Sequence, residues 1–279
     1  MRVFVTGATG YIGSAVVKEL INGGHEVTGL ARSDNSAGIL KELGAEIHRG
    51  AVDDPDSLQS GAAAADGVIH LAFNHDFSDF GGSLASDLRA VNAIGAVLEG
   101  TGKPFVTTAH ANGEASDNAV VALAERGVRT AVVSLAPTVH GEGDRAFVPR
   151  LIAIAREKGV SAYIGDGANR WPAVHRLDAA SLYRLAVEKA PAGSRLFGRA
   201  EEGVPFRRIA EVIGEHLDLP VVSISRDEAD AHFGFLGAIA ALDIPSLLPG
   251  SGARTRELLG WEPVHPELIA DLEQGHYFE

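Results

Sequence analysis

Short apolar runs alternate with stretches of helical periodicity through the first half of the chain. Six runs are rich in β-branched and aromatic residues: RVFVT (2–6), HEVTGLA (25–31), AEIHRG (45–50), GVIHLAF (67–73), PFVTT (104–108) and VRTAVVSL (128–135). Runs this apolar suit strands that crossover helices cover on both faces. The pattern therefore predicts an α/β fold built on a doubly wound, mostly parallel sheet.

Helical patterns fill the gaps between these runs. The first has apolar residues at helical spacing from Ile12 to Ile21, and Gly23-Gly24 ends it. Asp53-Asp54-Pro55 has the form of a capped helix start. Further helices are predicted at 83–100, 115–127, 147–158, 178–189 and 205–217, with a helical tail from 253 onward. Because glycine and proline become denser after residue 136, we expect a dinucleotide-type part at 1–140 and a small C-terminal substrate lobe at 141–279, interleaved with the sheet.

The segment TGATGYIG (6–13) stands between the first strand and its helix. Gly7 permits a tight turn, Gly10 lets the backbone approach a pyrophosphate, and Gly13 allows close packing of helix on strand. The helix N-terminus adds unpaired N–H groups and a positive dipole end. The segment follows a predicted strand and precedes a predicted helix and a second strand. This is the order that a dinucleotide site requires.

This segment resembles the N-terminus of the extended and atypical short-chain dehydrogenase/reductase families, of the NAD-dependent epimerase/dehydratase type. GVIHLAF resembles their fourth strand, LAPTVHGEGD (135–144) the loop after their sixth, and WPAVHRLDAASLY (171–183) a segment of their substrate lobe. The resemblance implies a Rossmann fold that binds a nicotinamide dinucleotide. It implies cofactor contacts from Gly7, Thr9, Gly10, Tyr11, Ile12, Gly13, Val52, Leu71, Ala72, Phe73, Pro137 and Val139.

The end of the second strand, GLARSD (29–34), bears on the choice of nucleotide. NAD enzymes place a carboxylate there for the ribose hydroxyls, whereas a guanidinium and a hydroxyl suit a 2′-phosphate. Arg32 and Ser33 therefore favour NADP. NAD remains the alternative, with Asp34 as the recognising residue.

The proton relay of these families is missing. Relatives use a Ser or Thr after the fifth strand and a Tyr-x-x-x-Lys pair on the next helix, but none of the four tyrosines here has lysine four residues later, and Ala109 stands in place of the serine. Residues 109–116 are also too few for the loop that relatives carry. Thr108 and His110 remain as candidates, a hydroxyl to orient a carbonyl and an imidazole for acid or base work. Both also have a structural interpretation, Thr108 as a strand-end residue and His110 as a solvated loop residue.

The other wall of the expected site comes from the second half of the chain. By resemblance, Pro137 and Val139 pack against the nicotinamide, and His140 follows them. The pattern GDGANRWP predicts a glycine-bounded loop on which Asn169, Arg170 and Trp171 form a substrate lid. His175 and Asp178 match an H-x-x-D motif whose residues have a structural role in relatives.

Composition narrows the function classes. A formal net charge of -13 argues against a nucleic-acid surface, and the absence of cysteine excludes disulfides and thiolate zinc sites. No apolar run approaches a membrane span. We expect a cytoplasmic protein that takes a small-molecule substrate, and by resemblance a homodimer.

Two other kinds of active site are not expected. His70, His75 and Asp76 lack metal-ligand spacing, so no metal site is expected. The sequence has no G-x-S-x-G elbow, which excludes a serine hydrolase.

Two functions stay open at this point. One is an NADP- or NAD-dependent oxidoreductase that passes hydride to or from a small carbonyl, imine or alkene substrate. The other is a nucleotide-binding sensor or scaffold, or a trimmed variant of an active parent, which keeps the phosphate loop without the proton relay.

Overall fold

The computed structural model of the protein describes residues 1–74, 77–247 and 250–279. The chain forms two compact units. Unit 1 comprises residues 1–134, 179–197 and 255–261, and unit 2 comprises residues 135–178, 198–254 and 262–279. The chain thus leaves unit 1 after residue 134 and returns to it twice.

The described residues form twelve strands and thirteen α-helices. The strands are β1 (Arg2–Thr6), β2 (Glu26–Ala31), β3 (Glu46–Arg49), β4 (Gly67–His70), β5 (Pro104–Thr108), β6 (Arg129–Leu135), β7 (Thr138–His140), β8 (Ser161–Ile164), β9 (Arg170–His175), β10 (Ser194–Gly198), β11 (Glu201–Pro205) and β12 (Val221–Ile224). The helices are α1 (Tyr11–Asn22), α2 (Asp34–Glu42), α3 (Pro55–Ala64), α4 (Phe80–Leu98), α5 (Glu114–Ala122), α6 (Phe147–Lys158), α7 (Arg176–Lys189), α8 (Phe206–Leu217), α9 (Ala229–Phe233), α10 (Gly237–Ala240), α11 (Ile244–Leu247), α12 (Gly252–Leu259) and α13 (Leu268–Glu273).

Unit 1 is built on a seven-stranded sheet in the order β10-β6-β5-β4-β1-β2-β3. Strands β1 to β6 pair in parallel with their neighbours. The order reverses between β1 and β4, and a sheet of this order binds dinucleotides at that switch point. The predicted doubly wound parallel sheet is confirmed, and all six predicted apolar runs contain a strand.

Local sequence sets the helix boundaries in unit 1. Asp54 is the N-cap of α3 and accepts hydrogen bonds from the backbone N–H groups of Asp56 and Ser57, while Pro55 occupies the first turn. Gly23 is the C-cap of α1, as predicted. Because α3 and α4 turn apolar faces inward, they cover one face of the sheet around Phe4, Leu58 and Ile94, which are fully buried.

Unit 2 has two small sheets and its own core. One sheet has the order β11-β9-β7 and the other pairs β12 with β8. Helix α8 shows why the core forms: its apolar residues recur on one face and are buried, whereas Arg207, Arg208 and Glu211 lie on the other face. The buried face packs into a cluster that includes Trp171, Phe206, Ile209, Leu268 and Leu272.

Among the described residues, no helix has both the length and the hydropathy that crossing a bilayer requires.

Candidate functional site

The loop from β1 to α1 has the tight geometry that its glycines predict. Gly7 has φ +67°, a left-handed conformation, and a Cβ there would lie 2.7 Å from the backbone nitrogen of Ala72. A Cβ on Gly13 would lie 2.0 Å from the carbonyl oxygen of Gly7. Gly10 is the N-cap of α1, which has neither a side-chain cap nor an acidic residue in its first turn. The start of α1 is therefore electrostatically suited to an anionic ligand.

A cleft opens beside this loop, entirely within unit 1. Among its lining residues are eight of the predicted cofactor contacts: Gly7, Thr9, Gly10, Arg32, Val52, Leu71, Ala72 and Phe73. Sequence reasoning missed Leu30, Ser36, Gly50 and Asn74, which also line it. Tyr11, Ile12 and Gly13 lie in the first turn of α1, and Ser33 precedes α2. The cleft gathers residues from the ends of β1, β2, β3 and β4, at the switch point of the sheet.

The residues after β2 take distinct roles. Arg32 lines the cleft, whereas the Ser33 hydroxyl caps α2 by accepting a hydrogen bond from the Ser36 backbone N–H at 3.2 Å. The hydroxyls of Ser33 and Ser36 lie 2.9 Å apart. The Asp34 carboxylate is 98% exposed and accepts a hydrogen bond from Arg49 Nη2 at 2.7 Å. Asp34 is thus paired on the surface, whereas Arg32 is charged and lines the cleft.

Thr108, the first catalytic candidate, is tied to the interior of unit 1. Its hydroxyl lies 2.6 Å from the Tyr183 hydroxyl, and either group can donate the hydrogen bond. Burial raises the pKa of the Tyr183 phenol far above its usual value, so this tyrosine stays neutral. The contact fixes the end of β5 against α7. The catalytic assignment of Thr108 remains a prediction.

His110, the second candidate, lies beside the cleft. Its ring stacks on the ring of Phe73, a cleft-lining residue, with centroids 3.9 Å apart and planes 27° apart. Its Nε2 lies 3.9 Å from Oδ1 of Asp87, and the His110 side chain is 18% exposed. The structure therefore brings an accessible imidazole, a buried carboxylate and the cleft wall together.

The short segment after β5 is a tight turn. The Gly113 N–H donates to the His110 carbonyl oxygen at 2.9 Å, and Asn112 has φ 57°. Helix α5 then begins at Glu114. His110 lies in the turn ahead of this helix, as the sequence predicts.

Unit 2 contains three residues that were predicted to form the other wall of the expected site. Pro137 comes just before β7, and Val139 and His140 are in that strand. His140 is 1% exposed, and its Nδ1 lies 2.8 Å from Oδ2 of the buried Asp271. His140 is thus part of the interior of unit 2, and its assignment to substrate binding remains a prediction.

The expected loop is wrong for Arg170 and Trp171, and the assignment of Asn169, Arg170 and Trp171 to substrate binding remains a prediction. Arg170 and Trp171 belong to strand β9, and Trp171 is fully buried against the rings of Phe147 and Phe206. The large apolar ring stabilises a buried strand despite the glycines that precede it. The Asn169 amide donates to the Ala240 carbonyl oxygen at 2.8 Å, so it too is engaged within unit 2.

The interior of unit 2 also gathers histidines. Ligand atoms of His175, Asp178 and His265 lie within 4.8 Å of one another. The His175 and His265 rings stack with planes 11° apart, so one ion could not lie in the planes of both rings. Asp178 already accepts hydrogen bonds from the backbone N–H groups of Val264 and His265. Burial, and then the charge of His140, lower the pKa of His175 to about 4, which favours the neutral ring.

The other histidine group considered for a metal includes His75 and Asp76, which lie outside the described residues. His70 is described and buried, and its Nδ1 lies 2.7 Å from the Thr6 hydroxyl.

Known proteins resemble this chain in sequence and in fold. A model of the NAD dependent epimerase/dehydratase family matches residues 3–97. An uncharacterized protein of Schizosaccharomyces pombe is 46% identical over 100% of both chains. The 2-alkyl-3-oxoalkanoate reductase of Stenotrophomonas maltophilia is 28% identical over 75% of this chain and 73% of its own. The dTDP-glucose 4,6-dehydratase of Streptomyces venezuelae, solved with NAD, shares the fold with a TM-score of 0.76 at 16% identity, covering 100% of this chain and 97% of that one.

The match to the Schizosaccharomyces pombe protein also bears on chain length. Its alignment spans 299 positions, whereas this chain has 279 residues, so the relative carries about 20 residues without a counterpart here.

Proposed function

We propose that this chain, which belongs to the NAD-dependent epimerase/dehydratase family of extended short-chain dehydrogenases/reductases, is an NADP-dependent oxidoreductase acting on a small carbonyl, imine or alkene substrate. The observation that carries the proposal is the cleft at the switch point of unit 1, beside a glycine loop that leads into the uncapped start of α1. A diphosphate satisfies the N–H groups of such a helix start. The similarity to the 2-alkyl-3-oxoalkanoate reductase supports redox chemistry at this fold.

Arg32 supports NADP over NAD. It lines the cleft together with Ser36, so a guanidinium and a hydroxyl are available there to bind a 2′-phosphate. The carboxylate that NAD recognition requires comes from Asp34 in the alternative, but Asp34 is paired with Arg49. A carboxylate already engaged by a guanidinium is a poorer acceptor for ribose hydroxyls.

Titration calorimetry with NADPH and NADH tests this preference. In R32A we expect the Kd for NADPH to rise by about 10- to 100-fold, because a charged hydrogen bond contributes roughly 1.5–3 kcal/mol, and the Kd for NADH to change little. R126A is the matched control, since Arg126 is an exposed arginine that pairs with Glu99 and does not line the cleft. Tighter binding of NADH than NADPH by the wild type would overturn the assignment.

His110 is the residue that we assign to proton transfer. When bound, the reduced nicotinamide supplies a hydride. A ketone that gained this hydride at its carbonyl carbon would hold the electron pair of the broken C=O π bond on oxygen, and that oxygen would need a proton. His110 gives its proton to that oxygen and then regains one from water, which its 18% exposed side chain allows. The Phe73 ring, stacked on the imidazole, holds His110 at the cleft wall.

Turnover of NADPH against a panel of ketones, imines and enones tests the activity. We expect H110A to lower kcat by about 10²- to 10⁴-fold, the usual contribution of a general acid, with an unchanged Kd for NADPH. H216A is the matched control, since His216 lies on α8 in unit 2. If the wild type binds NADPH and consumes none across the panel, the nucleotide-sensor function replaces the enzyme.

A further inference from the structure

Asp87, on the long helix α4, is a buried carboxylate close to the proposed proton donor His110. It is 4% exposed. Its ion pairs within the described residues are with imidazoles: Oδ1 lies 3.3 Å from His70 Nε2 and 3.9 Å from His110 Nε2. A buried charge without lysine or arginine beside it must be balanced by these rings and by hydrogen bonds.

The surroundings keep Asp87 ionised. Burial acts to raise the pKa of its carboxyl, but the nearby His70 imidazole, the hydrogen bond of Ser116 and the charge of His110 outweigh burial and hold that pKa below its usual value. A negative charge in a poorly hydrated place favours the protonated form of a neighbouring imidazole.

His70 and His110 differ in what they can do with a proton. The Thr6 hydroxyl accepts a hydrogen bond from the Ala72 backbone N–H at 3.2 Å and lies 2.7 Å from His70 Nδ1. The His70 ring thus lies between this hydroxyl and the Asp87 carboxylate, whose Oδ1 is 3.3 Å from Nε2. The His70 side chain is 2% exposed, so an added charge there is poorly solvated.

His110 suits the role of proton carrier better. Its side chain is 18% exposed, and its ring stacks on Phe73 at the cleft wall. The imidazolium is therefore less desolvated at His110 than at His70, and the proton can exchange with water. Its Nε2 lies 3.9 Å from Oδ1 of Asp87, near enough for the two charges to attract each other.

We propose that Asp87 is the positioning residue of the reduction: its buried negative charge, 3.9 Å from His110 Nε2, stabilises the imidazolium that delivers the proton. The inference rests on the proposed function, in which His110 is the general acid. Other charges surround the pair. Asp117 on α5 lies close enough to Asp87 for their charges to repel, and it interacts with Glu114 and Arg195.

Two measurements on the full chain test this role. The first is the titration of the His110 ring by NMR in wild type and D87N, which needs neither cofactor nor turnover. We expect the midpoint to fall by about one pH unit in D87N, as expected for loss of an opposite charge within about 4–6 Å. D53N, at an exposed aspartate of unit 1, is the matched control. An unchanged midpoint in D87N would overturn the proposal.

The second measurement is the pH dependence of kcat. At high pH, kcat should fall as His110 loses its proton. We expect this fall to occur about one pH unit lower in D87N than in wild type, with the Kd for NADPH unchanged. A lower kcat whose pH dependence is unchanged would indicate a purely structural residue. If the wild type turns over no substrate, the proposed function fails. The NMR result still decides whether Asp87 stabilises the protonated form of His110.

The wild-type chain alone provides a test if D87N does not fold. We expect His110 to titrate at a higher pH in the folded chain than in the same chain unfolded in urea. A folded midpoint at or below the unfolded one would contradict the role of Asp87.

Discussion

Asp117→Asn should make the protein more stable at neutral pH and leave it unchanged in acid. Asp117 lies in the first turn of α5, and its side chain is only 14% exposed. Burial raises the pKa of its carboxyl from 3.8 to about 6, against the charge of Arg195 and with the help of the charges of Asp87 and Glu114. The folded state thus holds this proton to a higher pH than the unfolded chain does.

The size of the effect follows from the two pKa values. Below pH 3.8 the carboxyl is protonated in both states and costs no stability. Between pH 3.8 and about 6 the unfolded chain has released the proton and the folded state has not, which costs the folded state about 1.4 kcal/mol for each step of one in pH. The wild type therefore loses roughly 3 kcal/mol through this one group by pH 7. Asparagine has a similar shape and no proton to lose, so the variant keeps that stability.

Urea unfolding of wild type and D117N at half-unit steps from pH 3.5 to 7.5 measures the effect. All other titrating groups are common to both chains, so the difference in unfolding free energy isolates Asp117. We expect this difference to rise from near zero to about 3 kcal/mol, with most of the rise between pH 4 and 6. D53N serves as the control for removal of an exposed carboxylate. A difference that stays flat across this range would mean that the Asp117 carboxylate is well solvated in the folded chain.

Two further substitutions test the packing of each unit. In G61A the new Cβ would lie 2.5 Å from the ring of the fully buried Phe4, so we expect a loss of about 1–3 kcal/mol in urea unfolding; an unchanged midpoint would show that this part of the core is loosely packed. In D178A the backbone N–H groups of Val264 and His265 lose their acceptor, so we expect a loss of about 2–4 kcal/mol and a lower Tm. Retention of the wild-type Tm would show that water replaces the carboxylate.

The fold of unit 1 was predictable because each of its signals is local. Apolar runs of four to seven residues mark β1 to β6, Gly23 ends α1, and Asp54 with Pro55 begins α3. The phosphate loop is equally local, since the strain at Gly7 and the close approach of Gly13 both arise within one turn. Periodicity and capping are sufficient for such features.

Unit 2 and the polar contacts of the site were harder to predict. Strand β9 follows the glycines at 165 and 167, and those residues predict a loop, but the burial of Trp171 decides the outcome. The contact of Thr108 with Tyr183 joins residues 75 positions apart. Asp87 lies within an apolar helical pattern, and its partners come from β4 and the turn after β5. Only the folded sheet brings such groups together, because spacing along the sequence does not encode contacts between strand ends.

Titration calorimetry of NADPH into wild type, G13A and G38A tests most directly whether the start of α1 holds the dinucleotide. A Cβ at Gly13 would meet the Gly7 carbonyl oxygen at 2.0 Å, and that backbone cannot move without deforming the loop, whereas a Cβ at Gly38 in α2 has no neighbour within 4 Å. We expect saturable binding by wild type and G38A, and a Kd at least ~10-fold higher in G13A, equivalent to about 1.4 kcal/mol. Absence of binding by the wild type, or equal binding by G13A, would contradict the assignment of this loop to the cofactor.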